Sequence, residues 1–385
     1  MLDSIYIKNY RNLKNLSIDS LGRVNLITGK NNTGKTTLLE AIGIYASKGH
    51  WSFISQILVE RGEDIRQTSA NRNIVTDNIQ MLSSLFTDRI IKISKESAIA
   101  IGDLKMTLFG LQEFSENSVY LSFVNYFDEL KKDDQGGYLS RRRVISDDDT
   151  DDVKKNIDDY KIGFEIKDGL RSKILPLEDE MRRYSVRFGL QSTEYKDNLQ
   201  LIKTFNIDRN INGRLWDNIT LTEKEIHVIE ALRIIEPLTE RIAFKSEESS
   251  SRDRTTIIKL SNADIPVPLK SMGDGINRIL TIILALVNAD NGFLLIDEFE
   301  NGLHHTVQEK LWEIIFKLSQ KLNIQVFVTT HSEDCISGFE NVLNNPDNSL
   351  EGKLIRLDND NGIIKQVEFD AKELKIATDN DIEIR

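Results

Sequence analysis

A glycine-rich turn at residues 29–36, GKNNTGKT, constrains the fold of this chain more than any other feature of its sequence. The turn ends the apolar run RVNLITG (23–29), which is typical of a strand buried on both faces of a parallel sheet. Residues 35–47 then carry apolar side chains at helical spacing, at Leu38, Leu39, Ile42 and Tyr45. The sequence therefore predicts a strand–turn–helix unit, the building block of α/β folds.

The turn matches the pattern GxxxxGK[ST], whose chemistry is the binding of phosphate groups. Its glycines let the backbone curl, so that successive N–H groups point into an anion-sized hollow at the start of the helix. We expect Lys35 to reach the β- and γ-phosphates of ATP and the Thr36 hydroxyl to bind Mg²⁺. The predicted nucleotide contacts are Gly29, Asn31, Asn32, Thr33, Gly34, Lys35, Thr36 and Thr37. The alternative is an ordinary glycine-rich turn between a strand and a helix.

Two acidic residues and a histidine follow two later apolar runs. Asp297 and Glu298 come directly after FLLI (293–296), at a strand end, where ligands bind in α/β sheets. We expect Asp297 to hold Mg²⁺ and Glu298 to polarise an attacking water. His331 ends the next predicted strand and is expected to sense the γ-phosphate. The alternatives are a common strand terminus for the acids and a buried structural role for the histidine.

Composition narrows the class of protein and its partners. The 385 residues, with 39% hydrophobic and 29% charged, are typical of an ordinary soluble protein of more than one packed unit. Lys and Arg total 50 against 61 Asp and Glu, and this net charge of −11 does not favour a surface devoted to DNA. The arginine clusters at 141–143 and 182–183 lie among acids, so we prefer a solvated surface over a phosphate-binding track.

The cellular compartment is predicted from the cysteine content and the apolar runs. Cys335 is the single cysteine, so an internal disulfide is excluded and a buried core position is expected for it. The first residues lack the apolar block of a secretory signal, and no apolar run is long enough for a membrane span. We therefore expect a cytoplasmic protein without a membrane partner.

The ordered patterns lie at the two ends of the chain. Alternating apolar residues in 5–18 predict an antiparallel strand pair, and strands alternate with helices after residue 265. The expected fold class is α/β, with a mainly parallel sheet and N-terminal antiparallel strands. We predict a split core, residues 1–50 and 265–385, around a large inserted lobe, residues 51–264.

The hydrophobic periodicity is weaker in the inserted lobe than in the core. Its predicted strands are 89–93, 119–124, 160–166 and 184–189. Its two acidic or serine-rich stretches, 146–155 and 246–254, are predicted to be exposed flexible loops.

Several motifs in order resemble those of one protein family. The phosphate-binding turn is followed by SMGDG (271–275), LLIDE (294–298), ENGLH (300–304) and TTHS (329–332). This set resembles the ABC-type ATPases of the RecF, SMC, Rad50 and OLD group, and the opening IYIKNYRNLKNLSID is similar to their N-terminal strands. The match covers about residues 1–45 and 265–335 and is loose between them. In overall organisation the chain most resembles the short OLD-like ATPases of phage-defence systems, such as the PARIS type with its separate TOPRIM nuclease.

The resemblance implies a role for the polar segment SMGDG. This segment has a serine, two glycines and an acid, whereas a simple turn needs only one glycine and a capping residue. It looks like the ABC signature, whose serine and glycine amides grip the γ-phosphate of ATP bound to another subunit. The implied contacts are Ser271, Gly273, Asp274 and Gly275. Such contacts require a head-to-tail homodimer with two sandwiched ATP molecules. The alternative is a capped turn.

The resemblance also has departures and one further candidate. Met272 stands where the family more often has a small residue, and Asp274 where Gln or Glu is common, so hydrolysis is expected to be slow. Arg11 lies in the N-aromatic-R motif and is a candidate nucleotide contact, with a solvated turn residue as the alternative.

The motifs together imply an ATPase whose ATP-driven dimerisation controls a partner protein. Only 54 residues follow His331, fewer than a TOPRIM domain needs, so any nuclease is expected to be a second protein, acting in antiviral defence. The alternatives are a RecF-like DNA repair ATPase and a nucleotide-switched scaffold with little turnover. A transporter subunit ranks last, because 236 residues separate Lys35 from Ser271.

Overall fold

The computed structural model describes residues 1–63, 73–106, 112–132, 138–145, 160–179, 181, 198–203, 211–247, 250–345, 350–380 and 382–385. The strands are β1 (Ile5–Tyr10), β2 (Leu13–Ile18), β3 (Val24–Thr28), β4 (Ile99–Gly102), β5 (Leu104–Met106), β6 (Gln112–Phe114), β7 (Val119–Lys132), β8 (Tyr138–Val144), β9 (Lys161–Asp168), β10 (Arg171–Pro176), β11 (Leu199–Ile202), β12 (Thr239–Glu247), β13 (Ser250–Leu260), β14 (Val267–Pro268), β15 (Phe293–Ile296), β16 (Gln325–Thr329), β17 (Gly352–Asp360) and β18 (Ile363–Phe369). The α-helices are α1 (Lys35–Ala46), α2 (Trp51–Glu60), α3 (Ile74–Ser83), α4 (Ile211–Asp217), α5 (Lys224–Ile235), α6 (Asp274–Asn288), α7 (His305–Lys321), α8 (Glu333–Leu343) and α9 (Ala371–Asp379).

The first sheet is antiparallel and contains the N-terminal hairpin. Its strand order is β10-β9-β7-β4-β1-β2, and β8 pairs with β7. Ile5 and Ile7 are buried while the residue between them is partly exposed, the alternation expected for a sheet with one covered face. Arg11 adopts a left-handed φ angle in the turn that joins β1 to β2, and Asn9 does so near the end of β1. The predicted N-terminal strand pair is therefore confirmed.

The second sheet carries the phosphate-binding turn. Its order is β11-β15-β16-β3-β17-β18, and all neighbours are parallel except β17 and β18. Every residue of β3 and β16 is buried, as expected for central strands covered on both faces. Because parallel strands end at the same edge, the segments after β3, β15 and β16 lie side by side. This topology confirms the predicted α/β class with a mainly parallel sheet.

Two apolar cores lie on opposite faces of the second sheet. Ile27 of β3 packs in the core that includes α1, α2 and the first sheet, whereas its neighbour Leu26 packs in the core that includes α4 to α8. Helix α1 contacts both β4 and β16, so it lies between the two sheets. Both ends of the phosphate-binding turn are therefore anchored in packed structure.

Helix α6 lies inside the core that includes α4 to α8. Every residue from Ile279 to Val287 is buried. The helix is enclosed on all sides by neighbouring elements, which explains why its sequence is apolar all round. Among the described residues, no helix combines the length and apolarity that a membrane crossing needs.

Strands alternate with helices after residue 265 as predicted, since α6, β15, α7, β16 and α8 follow one another in this order. Strands β17 and β18 form a hairpin, with left-handed φ angles at Asn361 and Gly362 in its turn. Cys335 lies fully buried in α8, which confirms its predicted core position.

The segment 246–254 differs from its prediction. It was expected to be an exposed loop, but it lies in the paired strands β12 and β13, apart from residues 248–249, which fall outside the described ranges. Ser246 pairs with Arg254 in this antiparallel ladder. A polar composition does not prevent such pairing, because the ladder hydrogen bonds are made by backbone groups.

The prediction of a strand at 89–93 is also wrong. A short 3₁₀ turn occupies Thr87–Arg89, and Asp88 and Arg89 adopt left-handed φ angles, far from the extended values of a regular strand. Ile90 and Ile93 are exposed, so apolar side chains here do not mark a buried strand. The predicted strands at 119–124 and 160–166 correspond to β7 and β9. The segments 146–155 and 184–189 lie outside the described residues.

Residues in the predicted inserted lobe contribute strands to both main sheets. Strand β4 pairs with β1 in the first sheet, and β11 pairs with β15 in the second. The division into a core of 1–50 and 265–385 and a lobe of 51–264 stays a prediction.

Candidate active site

The phosphate-binding turn, residues 29–34, curls at the end of β3 in a conformation that requires glycine. Gly29 has a φ angle of 136° and Gly34 one of 92°. A β-carbon at Gly29 would overlap the carbonyl oxygen of Leu357 in β17, so a larger residue is excluded by space as well as by φ. The Thr33 hydroxyl donates a hydrogen bond of 2.9 Å to the carbonyl of Lys30 across the turn. The loop is thus shaped by its own backbone and by β17.

Lys35 folds back over this loop. Its ammonium group donates to the carbonyl oxygens of Gly29 at 2.7 Å and Lys30 at 2.9 Å. Burial lowers the pKa of Lys35 to about 8, and the acids around it, Asp297 first among them, counteract part of that effect. A cation held against carbonyl groups inside an anion-sized loop is suited to contact phosphate oxygens.

Thr36, Asp297 and Thr329 form one hydrogen-bonded set at the sheet edge. The Thr36 hydroxyl lies 3.2 Å from both carboxylate oxygens of Asp297. The Thr329 hydroxyl donates to Asp297 at 2.6 Å and accepts from the backbone N–H of Glu298 at 2.9 Å. Hydroxyl and carboxylate oxygens are the ligands that Mg²⁺ prefers, so Thr36 and Asp297 fit the metal predicted for them.

Glu298 occupies a left-handed backbone conformation immediately after β15. Its φ angle is 51°, which a non-glycine residue adopts at a cost of about 1 kcal/mol or more. Its backbone N–H is bound by Thr329, as described above, and its carbonyl oxygen accepts from Arg278 at 3.3 Å. The side chain of Glu298 is therefore directed by a backbone held from two neighbouring elements.

Arg278 is a site residue that sequence reasoning missed. It lies in α6, the helix that SMGDG opens, and only 6% of the residue is exposed. Its guanidinium donates to the carbonyl oxygens of Lys203 at 3.0 Å, Asp297 at 3.2 Å and Glu298 at 3.3 Å. Burial lowers its pKa, although the neighbouring acids oppose this effect. Arg278 thus ties the signature-like helix to the backbone that carries the two acids.

We expect Arg278→Lys to lower the turnover of ATP about ten- to a hundredfold, because lysine cannot reproduce the planar fork that binds several carbonyl groups. The KM for ATP should change less than about threefold, since Arg278 touches the backbone of the acids and not the phosphate loop. Steady-state ATPase kinetics measure both constants. Arg233→Lys is the control, because Arg233 also donates to a carbonyl, that of Thr239 in β12. Equal losses in both variants would contradict a specific role for Arg278.

Glu300 and His331 are joined across the ends of β15 and β16. One carboxylate oxygen of Glu300 accepts from the His331 backbone N–H at 2.8 Å, and the other accepts from the Thr330 hydroxyl at 2.7 Å. Burial lowers the pKa of His331, and the Lys35 ammonium lowers it further. His331 thus lies near enough to Lys35 for their charges to interact, and its predicted contact with the γ-phosphate stays a prediction.

The segment SMGDG forms the approach to α6. The Ser271 hydroxyl donates to the carbonyl of Pro268 at 2.7 Å, within a 3₁₀ turn at Leu269–Met272. Gly273 has a φ angle of 106° and is exposed, with open space around the position of a β-carbon. A β-carbon at Gly275 would approach the carbonyl of Gly302 to 3.0 Å. Asp274 begins α6, and its side chain is outside the described part of the chain.

The other predicted nucleotide contacts take different positions. Asn31 and Asn32 are exposed at the tip of the loop, and Thr37 is buried in the first turn of α1. Arg11 is mostly buried and lies with its Nε atom 3.3 Å from Glu40 of α1. This ion pair attaches Arg11 to the helix that follows the phosphate loop, and its predicted contact with nucleotide stays a prediction.

Thr329 and Glu300 are also site residues that sequence reasoning did not select. Thr329 lies in TTHS and Glu300 in ENGLH, the motifs that carried the resemblance, but their hydrogen bonds cross between strands and leave no local pattern. Arg278 did have a signal, because it is a basic residue inside the otherwise apolar helix GINRILTIILALV. A charge in an apolar helix requires buried partners.

Comparison with known proteins places these motifs in a family. A family model described as an AAA ATPase domain matches residues 1–336. An ATP/GTP phosphatase of Helicobacter pylori is 26% identical over 377 residues, which cover 94% of this chain and 93% of that protein. The DNA replication and repair protein RecF of Streptococcus pneumoniae is 22% identical over 365 residues, covering 86% of this chain and 93% of RecF.

A solved structure shows the same fold. The SMC head bound to the C-winged helix domain of ScpA aligns with a TM-score of 0.50 at 13% identity, covering 96% of this chain and 98% of that chain. The mixed sheets of this chain thus resemble the fold of the SMC head. Because the family model spans most of the sequence, this chain belongs to the family of AAA ATPase domains.

Proposed function

We propose that the chain binds ATP with Mg²⁺ and hydrolyses it at a site shared between two copies of itself. The observation that carries this proposal is the meeting of three strand ends. Thr36 lies 3.2 Å from Asp297, and Asp297 is bound in turn by Thr329, two residues before His331. In this proposal the loop, the acids and the histidine surround one position for a terminal phosphate, as expected for the ends of neighbouring parallel strands.

Each side chain of the site has a distinct task in this proposal. The loop amides and Lys35 bind and orient the triphosphate. Thr36 and Asp297 hold Mg²⁺, which offsets negative charge on the phosphates when it is bound. Glu298 accepts the proton of the attacking water, and its constrained backbone aims the carboxylate. The His331 ring contacts the γ-phosphate as a hydrogen-bond donor.

The signature-like segment supports the shared site. Ser271 and Gly273 are exposed, and Gly273 borders open space on its own chain. A helix N-terminus with accessible amides attracts anions, and α6 begins directly behind this segment. A head-to-tail homodimer would place the segment of one copy on the ATP of the other, in agreement with the resemblance to ABC-type ATPases.

A concentration series on the wild-type chain tests the shared site. If two chains complete each site, the specific ATPase activity should rise with protein concentration and level off when dimers saturate. Activity measured over about a thousandfold range of concentration, at saturating ATP and Mg²⁺, checks this. A constant specific activity down to concentrations at which the protein is monomeric would contradict a shared site.

We further propose that the ATP-bound dimer acts in the cytoplasm on a separate effector, a TOPRIM or other nuclease, in antiviral defence. The support is the similarity of the ordered motifs to short OLD-like ATPases, together with the net charge of −11, which does not favour DNA as the main ligand. The pure chain should then leave DNA intact in the presence of Mg²⁺ or Mn²⁺ and ATP. Metal-dependent cleavage that copurifies with the chain and persists after further purification would contradict this proposal.

A RecF-like role in DNA repair is the second candidate. The 22% identity to RecF of Streptococcus pneumoniae over 86% of this chain favours it. This function requires DNA binding that weakens steeply with salt, as expected when phosphate contacts release counterions. Binding measured at several salt concentrations, with and without ATP, separates it from the effector hypothesis.

A further inference from the structure

The segment Ile382–Arg385 lies against the phosphate loop. The Thr28 hydroxyl, at the last residue of β3 and fully buried, donates to the carbonyl of Ile384 at 2.7 Å. Arg356 of β17 donates to the carbonyl of Glu383. The neighbouring strands β3 and β17 therefore each bind one of two consecutive carbonyl groups of this segment, beside the start of the phosphate loop.

The side chain of Glu383 reaches a residue of the loop itself. Its carboxylate lies 3.1 Å from the ammonium group of Lys30. Lys30 follows Gly29, and its own carbonyl accepts a hydrogen bond from Lys35 at 2.9 Å. The Lys30 and Glu383 side chains are 73% and 65% exposed, so the ion pair is weak and can exchange its partners.

The other contacts of the segment lie on two helices. The backbone N–H of Ile382 donates to Ala377 of α9 at 2.9 Å, and Arg385 pairs with Glu333 of α8 at 3.1 Å. Helix α8 begins two residues after His331. The segment thus spans from the loop that would bind the triphosphate to the helix that follows the predicted phosphate sensor.

We propose that Ile382–Arg385 is a strap that opposes nucleotide binding, with Glu383 competing with the triphosphate for Lys30. The carbonyl contacts of Ile384 and Glu383 hold the strap in place, and the carboxylate cancels the positive charge of Lys30. An incoming triphosphate has to displace this carboxylate before it can contact the Lys30 ammonium group. This inference rests on the proposed binding of ATP at the phosphate loop.

Glu383→Gln tests the competition without changing the shape of the side chain. ATP should bind about two- to fivefold more tightly, the range expected for an exposed ion pair, and titration calorimetry with MgATP measures the Kd. In the Lys30→Ala background the same substitution should have no effect. Asp379→Asn is the matched control, because it removes one negative charge from exposed α9 and should leave the Kd unchanged.

Thr28→Val tests the anchor of the strap, since valine keeps the shape and removes the hydroxyl donor. This variant should also bind MgATP more tightly, because the freed strap no longer holds Glu383 at Lys30. Unchanged or weaker binding in Glu383→Gln, or an equal gain in the Lys30→Ala background, would overturn the inference. Failure of the wild-type chain to bind ATP would instead overturn the proposed function, so the two failures are distinguishable.

Discussion

Lys35→Ala should weaken the binding of ATP by about a hundredfold or more, since the ammonium group is expected to make charge-assisted hydrogen bonds to two phosphate groups. The structure adds a second reason. The Lys35 ammonium donates to the carbonyls of Gly29 and Lys30, so the variant also loses the side chain that braces the loop. Calorimetric titration with MgATP measures the loss. Lys317→Ala, at an exposed position of α7, is the control for loss of one positive charge.

A mixing experiment extends this test to the shared site. Ser271→Arg should block the signature-like segment while leaving the phosphate loop intact, so each variant alone should be inactive. An equal mixture with Lys35→Ala should recover about a quarter of wild-type turnover, since half of the dimers then contain one complete site of two. A mixture of confirmed heterodimers that stays inactive would argue against the shared site. In the titration described above, binding of ATP by Lys35→Ala at wild-type affinity would argue against the role of the loop.

Glu298→Gln should retain ATP binding and lose hydrolysis by about a hundred- to ten-thousandfold, the usual effect of removing a general base. The amide matches the carboxylate in shape, and the left-handed backbone of residue 298 is held by Thr329 and Arg278, so the local structure should survive. Because the ATP is not consumed, the ATP-bound dimer should accumulate. Single-turnover hydrolysis and light scattering in MgATP measure the two effects.

The control for this variant removes an acid elsewhere on the surface. Glu313→Gln, at an exposed position of α7, should change neither turnover nor oligomeric state. A Glu298→Gln protein that stays monomeric at saturating ATP would count against the sandwich dimer. Wild-type turnover in Glu298→Gln would remove Glu298 from the mechanism. Negligible turnover in both proteins would favour a nucleotide-switched scaffold.

Sequence patterns predicted those parts of the site that are built from consecutive residues. The loop from Gly29 to Thr36 is one such part, because glycines at two fixed positions and a following helix determine its backbone. Asp297 and Glu298 are another, because an apolar run predicts a buried strand and its end is the place for polar ligands. The failure at 246–254 has a different cause, because the consecutive strands β12 and β13 pair through backbone hydrogen bonds, which a polar composition does not prevent.

Contacts between distant residues could not be predicted in this way. Arg278 binds the carbonyls of Asp297 and Glu298 from another element, and Arg11 pairs with Glu40 instead of pointing into solvent. Thr28 donates to Ile384 across 356 positions of sequence. No periodicity or local spacing relates such residues.

The sequence by itself determined the α/β class, the strand–turn–helix unit around Lys35 and the polar residues at the ends of the later strands. These features follow from hydrophobic periodicity and from the backbone freedom of glycine, both of which are local properties. Only the tertiary structure decided which of these residues meet, how the backbone of Glu298 is held and where the strap Ile382–Arg385 contacts the loop. Those outcomes depend on strand order and helix packing, because each of these contacts joins residues that are far apart in the sequence.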